Sequence, residues 1–397
     1  MTTVWDDLIG QDDAVAELHS AAAAAAEIAA GREAAAATMT HAWLFTGPAG
    51  SGRSVAARAL AAALQCERTP AGCGECTACH TVRTRSHPDV HSVVPEGLSI
   101  SVAEMRSVVG RSARRPILGR WQVVVIEDAD RLTEQASNAL LKALEEPPPR
   151  TVFLLCVPSL HPDDVSLTIR SRCRLVTLRV PPPEAIAAVL RAEGISADDA
   201  AWAAAASQGH VGRARRLARD PAAREHRATV LAIPSSLTSM AACLAAADHL
   251  VGAAEAEAAS LSAELDGTET EALQIALGGG GTGKGTAGTT RGTAGAMRDL
   301  EKRQKSRATR TQRDALDRAL VDLAAFYRDV LLVQTRSSVP AAHPDFDDDV
   351  RTVALRLEPP QVLRRLDAVL KCRQQVELNV KPRIAVEALT AALRLPS

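Results

Sequence analysis

From Trp43 to Val180 short apolar runs alternate with stretches whose apolar positions recur at helical spacing, the signature of a parallel sheet with crossover helices. The runs predict strands at Ala42–Thr46, Val90–Val94, Trp121–Glu127, Thr151–Val157 and Arg174–Val180. Start and stop signals frame the helices between them. Ser101 with Glu104 three residues on forms a capping-box pattern, Thr133 stands at an N-cap before EQASNALLKALEE, and Pro147, Pro148 and Pro149 end that helix. A second triplet, Pro181–Pro183, predicts a stiff hinge. Beyond it the pattern is helical throughout, Ala- and Arg-rich to about 245. The Gly/Thr tract at 278–296 then interrupts it and predicts a flexible loop. From Met297 the helical pattern resumes, with Leu316, Leu320, Leu323, Phe326 and Val330 on its apolar side. The Ala-rich pieces Ala21–Ala26 and Ala34–Ala37 predict helix by propensity. The expected architecture is α/β over 1–180, a helical domain over 181–245 and an all-α domain over 246–397.

Composition narrows the functional classes. With 46 basic and 47 acidic residues, a net charge of −1 and only nine aromatic side chains, the chain is not built to grip single strands by stacking many bases. An apolar content of 46% with 23% charged residues predicts a globular chain, and no run of about 20 apolar residues predicts a membrane span. The acidic start MTTVWDDLIG does not read as a secretory signal, so a cytoplasmic location is expected.

Gly47-Pro48-Ala49-Gly50-Ser51-Gly52-Arg53-Ser54 lies between a predicted strand and a predicted helix, the context of a phosphate-binding loop. Gly47, Gly50 and Gly52 let backbone N–H groups converge on phosphate oxygens, and the helix N-terminus adds its positive end. Arg53 stands where such loops carry Lys, a broad planar fork in place of a compact ammonium, so nucleotide binding is compatible with the loop and hydrolysis is not expected. Ser54 is the hydroxyl position for a bound Mg²⁺. After the strand QVVVI come Glu127 and Asp128, either the carboxylates that serve Mg²⁺ and water, in swapped order, or a solvated strand end. A second G-x-x-x-x-G-K match, Gly278 to Lys284, follows no strand and lies in low-complexity sequence, so it reads as loop.

Of eight cysteines, Cys66, Cys73, Cys76 and Cys79 fall within fourteen residues in two CxxC turns, enough thiolates for a tetrahedral, structural Zn²⁺. His80 and His87 are nearby nitrogens able to replace one sulfur. The expected zinc module spans about 66–80. The alternative is a set of reduced, unliganded thiols.

Gly10-Gln11, the phosphate loop, the four-Cys knuckle, the acidic strand end, NALLKALEEPP (Asn138–Pro148) and TIRSRC (Thr168–Cys173) occur in an order that closely resembles the bacterial clamp-loader family. These AAA+ proteins load the sliding clamp for DNA polymerase III. The altered ATP motifs make the chain most similar to the family's delta-prime members. The resemblance covers residues 1 to about 220; beyond that it implies a lid domain followed by a helical collar. It further implies that Arg172 is an arginine finger acting in trans on a neighbour's ATP, and that the four cysteines hold zinc. Val157-Pro158 and Gly212 then occupy the places of polar and basic sensor residues. Implied partners are gamma/tau-like and delta-like subunits, with the sliding clamp and primer-template DNA reached through the assembly, where Arg114, Arg115 and Lys142 would face the phosphates. The competing readings are a self-sufficient ATPase of the gamma/tau type and a zinc-dependent DNA-binding protein using the basic run Lys302, Arg303, Lys305, Arg307, Arg310 and Arg313. That run, with its acidic neighbours, also fits a solvated helix face.

Overall fold

The computed structural model describes residues 3–32, 38–95, 97–276, 290–378 and 380–395, and the chain forms two compact units, Met1–Ala218 and Arg219–Ser397. The first unit runs α1 (Asp12–Ala29), β1 (Ala42–Thr46), α2 (Arg53–Gln65), α3 (Thr77–Arg83), β2 (Val90–Val93), α4 (Val102–Ser112), β3 (Gln122–Ile126), α5 (Glu134–Glu145), β4 (Thr151–Val157), α6 (Leu167–Arg170), β5 (Arg174–Thr177), α7 (Pro183–Ala192), α8 (Ala197–Ala206) and α9 (Val211–Arg219). Its five strands are parallel in the order β2-β3-β4-β1-β5.

The apolar runs are continuous because helices cover both faces of this sheet. Successive side chains alternate between two cores. Trp43, Phe45, Val123, Val125, Val152 and Leu154 meet Leu18 of α1 and Leu60 of α2, while Leu44, Val124, Ile126, Phe153 and Leu155 meet Met105 of α4 and Leu140 of α5. β1 and β4 match the predicted bounds, and β2, β3 and β5 are shorter by one to three residues. The cap signals form: Ser101 Oγ accepts from Glu104 N at 3.2 Å and Thr133 Oγ1 from Ala136 N at 3.2 Å. Ala21–Ala26 lies in α1, and Ala34–Ala37 is outside the described residues.

The second unit comprises α10 (Pro221–Ser236), α11 (Met240–Ala276), α12 (Thr290–Gln334), α13 (Asp347–Arg356), α14 (Pro359–Glu377) and α15 (Pro382–Leu393). α10 contributes Val230, Leu231 and Ile233 to the same core as Leu320, Phe326, Val369 and Leu389, so the division by packing falls after Ala218, whereas the sequence pattern placed it near 245. Of the Gly/Thr tract, 278–289, including the Gly278–Lys284 match, lies outside the described residues, and 290–296 opens α12 instead of belonging to a loop. Two glycines at about 1 kcal/mol each do not stop a helix that propagates from the residues after them. The basic run of α12 is not simply a solvated face, because Arg307 pairs with Asp266 at 2.5 Å and with Glu269 at 2.6 Å on α11. Among the described residues no helix is long and apolar enough to cross a membrane.

Candidate functional site

The phosphate loop leaves the C-terminal end of β1, the end of a parallel sheet where ligands bind, and runs into α2. Gly50 and Gly52 adopt left-handed backbone, φ 85° and 93°, which a side chain would strain. A Cβ on Gly50 would also lie 2.7 Å from His210 Cα, so the turn before α9 sits directly on the loop. Gln11 clamps it from the other side: its Nε2 donates to Ser51 O at 3.3 Å and Arg179 O at 2.6 Å, and its Oε1 accepts from Arg179 N at 3.1 Å. Within the cradle, Arg53 Nη1 and Ser51 Oγ are buried and have no hydrogen-bond partner among the described residues. A buried cationic donor left unpaired at a helix N-terminus is a group that suits an anion. The loop therefore fits phosphate, even with Arg in place of Lys.

The acidic strand end is already engaged. Arg58 Nη1 of α2 and Arg85 Nη2 beyond α3 donate to the same oxygen of Glu127, at 2.8 and 2.9 Å, and the Glu127 side chain is only 11% exposed. Its negative charge is shared by two guanidinium groups. Asp128 turns through left-handed backbone at φ 52°, a conformation Asp tolerates better than most residues. Asp130, next along, has its carboxyl pKa raised by burial and then by Asp128, with Arg53 opposing. Val157 closes β4 and Gly212 lies in the first turn of α9, and neither residue offers a side chain that hydrogen-bonds phosphate.

The four sulfurs of Cys66, Cys73, Cys76 and Cys79 all lie within 4.8 Å of one another. Cys66 Sγ and Cys76 Sγ are 4.0 Å apart, and Zn–S bonds of about 2.3 Å in a tetrahedron imply roughly 3.8 Å between sulfurs. Backbone N–H groups of Cys73, Cys76 and Cys79 point at Cys66, Cys73 and Cys76 sulfurs respectively, at 3.3, 3.3 and 3.5 Å, which orients thiolates toward a common centre. The Cys73 thiol is lowered to about 7, chiefly by the Glu75 backbone N–H, while burial pushes Cys79 up. The donor set thus fits a metal held by four thiolates. His87 is not part of it; burial lowers its pKa and its Nδ1 accepts from Asp89 N at 3.1 Å. The knuckle is continuous with the phosphate loop through α2, whose C-cap is Cys66, and Trp5 Nε1 fastens the N-terminal segment to it by donating to Ala71 O at 2.6 Å.

Arg172 sits on the turn between α6 and β5, half-buried, its side chain 33% exposed. Nη1 donates to Thr168 O at 2.9 Å and to Ser171 Oγ at 3.4 Å, and Nη2 pairs with Glu145 Oε1 at 2.5 Å.

A family model described as DNA polymerase III, delta subunit, matches residues 25–182, which contain all of these groups except Gln11, Trp5, His210 and Gly212. The DNA polymerase III subunit delta' of Pseudomonas aeruginosa is 42% identical over 137 residues, 34% of this chain and 41% of its own length. Residues 25–182 thus resemble delta-prime subunits of the DNA polymerase III clamp loader. The gamma/tau subunit of Mycobacterium tuberculosis is 32% identical over 203 residues, 49% of this chain and 33% of its own, so the chain spans less than half the length of either relative. Among solved structures, the RuvB Holliday junction branch migration motor of Thermotoga maritima aligns over 54% of this chain and 62% of its own, at 20% identity and a TM-score of 0.35.

Within residues 25–182 three contacts of the candidate site carry no sequence signal. Arg58 and Arg85 reach Glu127 from 69 and 42 residues away, Glu145 reaches Arg172 across 27, and none of the pairs follows a helical or strand period. Gly10-Gln11 is legible in the sequence, but the clamp of Gln11 on the loop is a tertiary contact across 40 and 168 residues.

Proposed function

We propose that this chain is a delta-prime-like subunit of the DNA polymerase III clamp loader that helps load the sliding clamp onto primed DNA and lends Arg172 to a neighbouring ATPase subunit without turning over ATP itself. The observation that carries this reading is the contrast between two sites. Glu127, the carboxylate a hydrolysing site needs, is held by Arg58 and Arg85, while Arg172 stands partly exposed on the SRC turn. ATP or ADP would be held by the backbone of Gly47, Gly50 and Gly52 and by Arg53, with Ser54 and Asp128 on the Mg²⁺ side. Bound nucleotide would then serve to hold the subunit's shape. Zn²⁺ on Cys66, Cys73, Cys76 and Cys79 would be structural, since four thiolates leave no open coordination position. The partners in this reading are gamma/tau-like and delta-like subunits, with clamp and primer-template DNA met through the assembly. The domain division that goes with it is 1–180, then a lid made of α7, α8 and α9, then a helical collar that takes in α10.

The test is ATP turnover. The purified chain is expected to show none above background, and Arg172→Ala is expected to lower the DNA-stimulated ATPase of the reconstituted loader, the site it serves losing on the order of 10³ in rate. Magnesium-dependent turnover by the lone chain that is lost in Arg53→Ala would instead establish the gamma/tau-type reading, which the unpaired Arg53 Nη1 favours.

A further inference from the structure

Resting on the reading of Arg172 as the residue lent to a neighbour, we infer that Glu145 is the positioning residue that ties this guanidinium to α5 and thereby sets where it is presented. Two of the three acceptors on Arg172, Thr168 O and Ser171 Oγ, belong to its own turn and move with it. Glu145 is the exception. It lies in the last turn of α5, where Pro147 and the prolines after it end the helix, so its carboxylate is offered at a helix C-terminus whose partial negative charge also attracts a guanidinium. α5 is 12 residues, about 18 Å long, and starts just beyond the strand end that carries Glu127. It is thus one rigid element with the phosphate-loop side of the sheet at its start and Arg172 at its end.

An unattached Arg samples many rotamers and would have to give up that freedom on meeting a phosphate. The pair with Glu145 removes most of it beforehand, because both Nη atoms are then fixed to two different elements. The carboxylate does not neutralise the guanidinium's usefulness: its side chain is 47% exposed and solvated, so a polyphosphate entering from a neighbour competes with a screened, partly wet partner. The arrangement predicts that Glu145 acts only through Arg172.

The experiment is a double-mutant cycle in the reconstituted loader with full-length chain, reading DNA-stimulated ATP turnover as kcat and KM separately. Glu145→Ala is expected to lower kcat about fivefold with KM within about twofold, and Glu145→Gln, which keeps the acceptor oxygen, to recover at least half of the loss. Arg172→Ala is expected to lower kcat further, and the double variant to match Arg172→Ala alone. Wild-type kcat in Glu145→Ala, or a double variant that falls below Arg172→Ala, would overturn the role of Glu145 while leaving Arg172 in place. An Arg172→Ala loader with unchanged turnover would instead remove the function assigned to Arg172 itself. Assembly of each variant, followed by size, separates these outcomes from failure to fold.

Discussion

At the residue scale, buried charges in this chain are satisfied by groups distant in sequence. Asp89 is the clearest case: fully buried, it accepts from the backbone N–H groups of Ile117, Leu118 and Gly119 at 2.7, 2.8 and 2.6 Å and from Gln122 Nε2 at 3.1 Å. Burial pushes its carboxyl up, but the three backbone donors together outweigh that and hold its pKa below the usual carboxylate range. The contact fixes a loop on which Ile117 and Leu118 are otherwise about three-quarters exposed, at 75% and 78%. Asp89→Ala leaves these N–H groups without an acceptor and should cost roughly 3 kcal/mol, seen as a lower denaturant midpoint at unchanged m-value. Glu127 follows the same logic. The sequence shows a carboxylate at a strand end; only the positions of Arg58 and Arg85 decide that it is an ion-pair anchor.

At the scale of elements, legibility follows from locality. β1 and β4 are readable because a strand covered on both faces must be apolar throughout, and α4 and α5 because Ser101 and Thr133 cap them within one turn. The cysteine knuckle is readable for a similar reason, since its ligands are close in sequence and its N–H···S contacts are local. Its own core is small, a few buried residues around Cys66, Cys76, Ala78 and Cys79. One metal per chain by elemental analysis is expected, zinc in the proposed reading. Chelation should make the segment around 66–83 hypersensitive to proteolysis before the sheet unfolds, and Cys76→Ser should do so without chelator. A metal-free chain that melts and resists protease like the untreated one would argue for reduced thiols. The basic run of α12 is less legible: Arg307 looks solvated along its own helix, and the carboxylates that hold it belong to α11.

At the scale of the whole molecule, each unit carries its own core and its own buried histidines. In the second unit His343, fully buried, has its pKa lowered by burial; Arg227 Nη2 lies 3.0 Å from its Nδ1 while Arg227 also forks onto Asp345 at 2.6 and 3.0 Å. In the first, burial lowers His87 and His91. A histidine kept neutral by the fold takes up its proton more readily when unfolded. Its stabilising contribution is therefore complete above the unfolded pKa of about 6.5 and is lost progressively as pH falls from there to the lower folded-state pKa. Both units should melt at lower temperature at pH 5.5 than at pH 7.5. All four Trp residues, 5, 43, 121 and 202, lie in the first unit, so Trp fluorescence reports that unit alone. His343→Gln should flatten the pH dependence of the helical circular dichroism transition and leave the Trp transition unchanged. The sequence by itself determined the strands, the caps, the phosphate loop, the thiol cluster and the resemblance they add up to. Each of these is written by residues within a few turns of one another, where periodicity and spacing are physical constraints. Tertiary structure alone decided the strand order, the core α10 joins, the pairing of Glu127 with Arg58 and Arg85, and the seat of Arg172 on Glu145. Those depend on which distant side chains come within hydrogen-bond reach once the layers pack, and no local period encodes that distance.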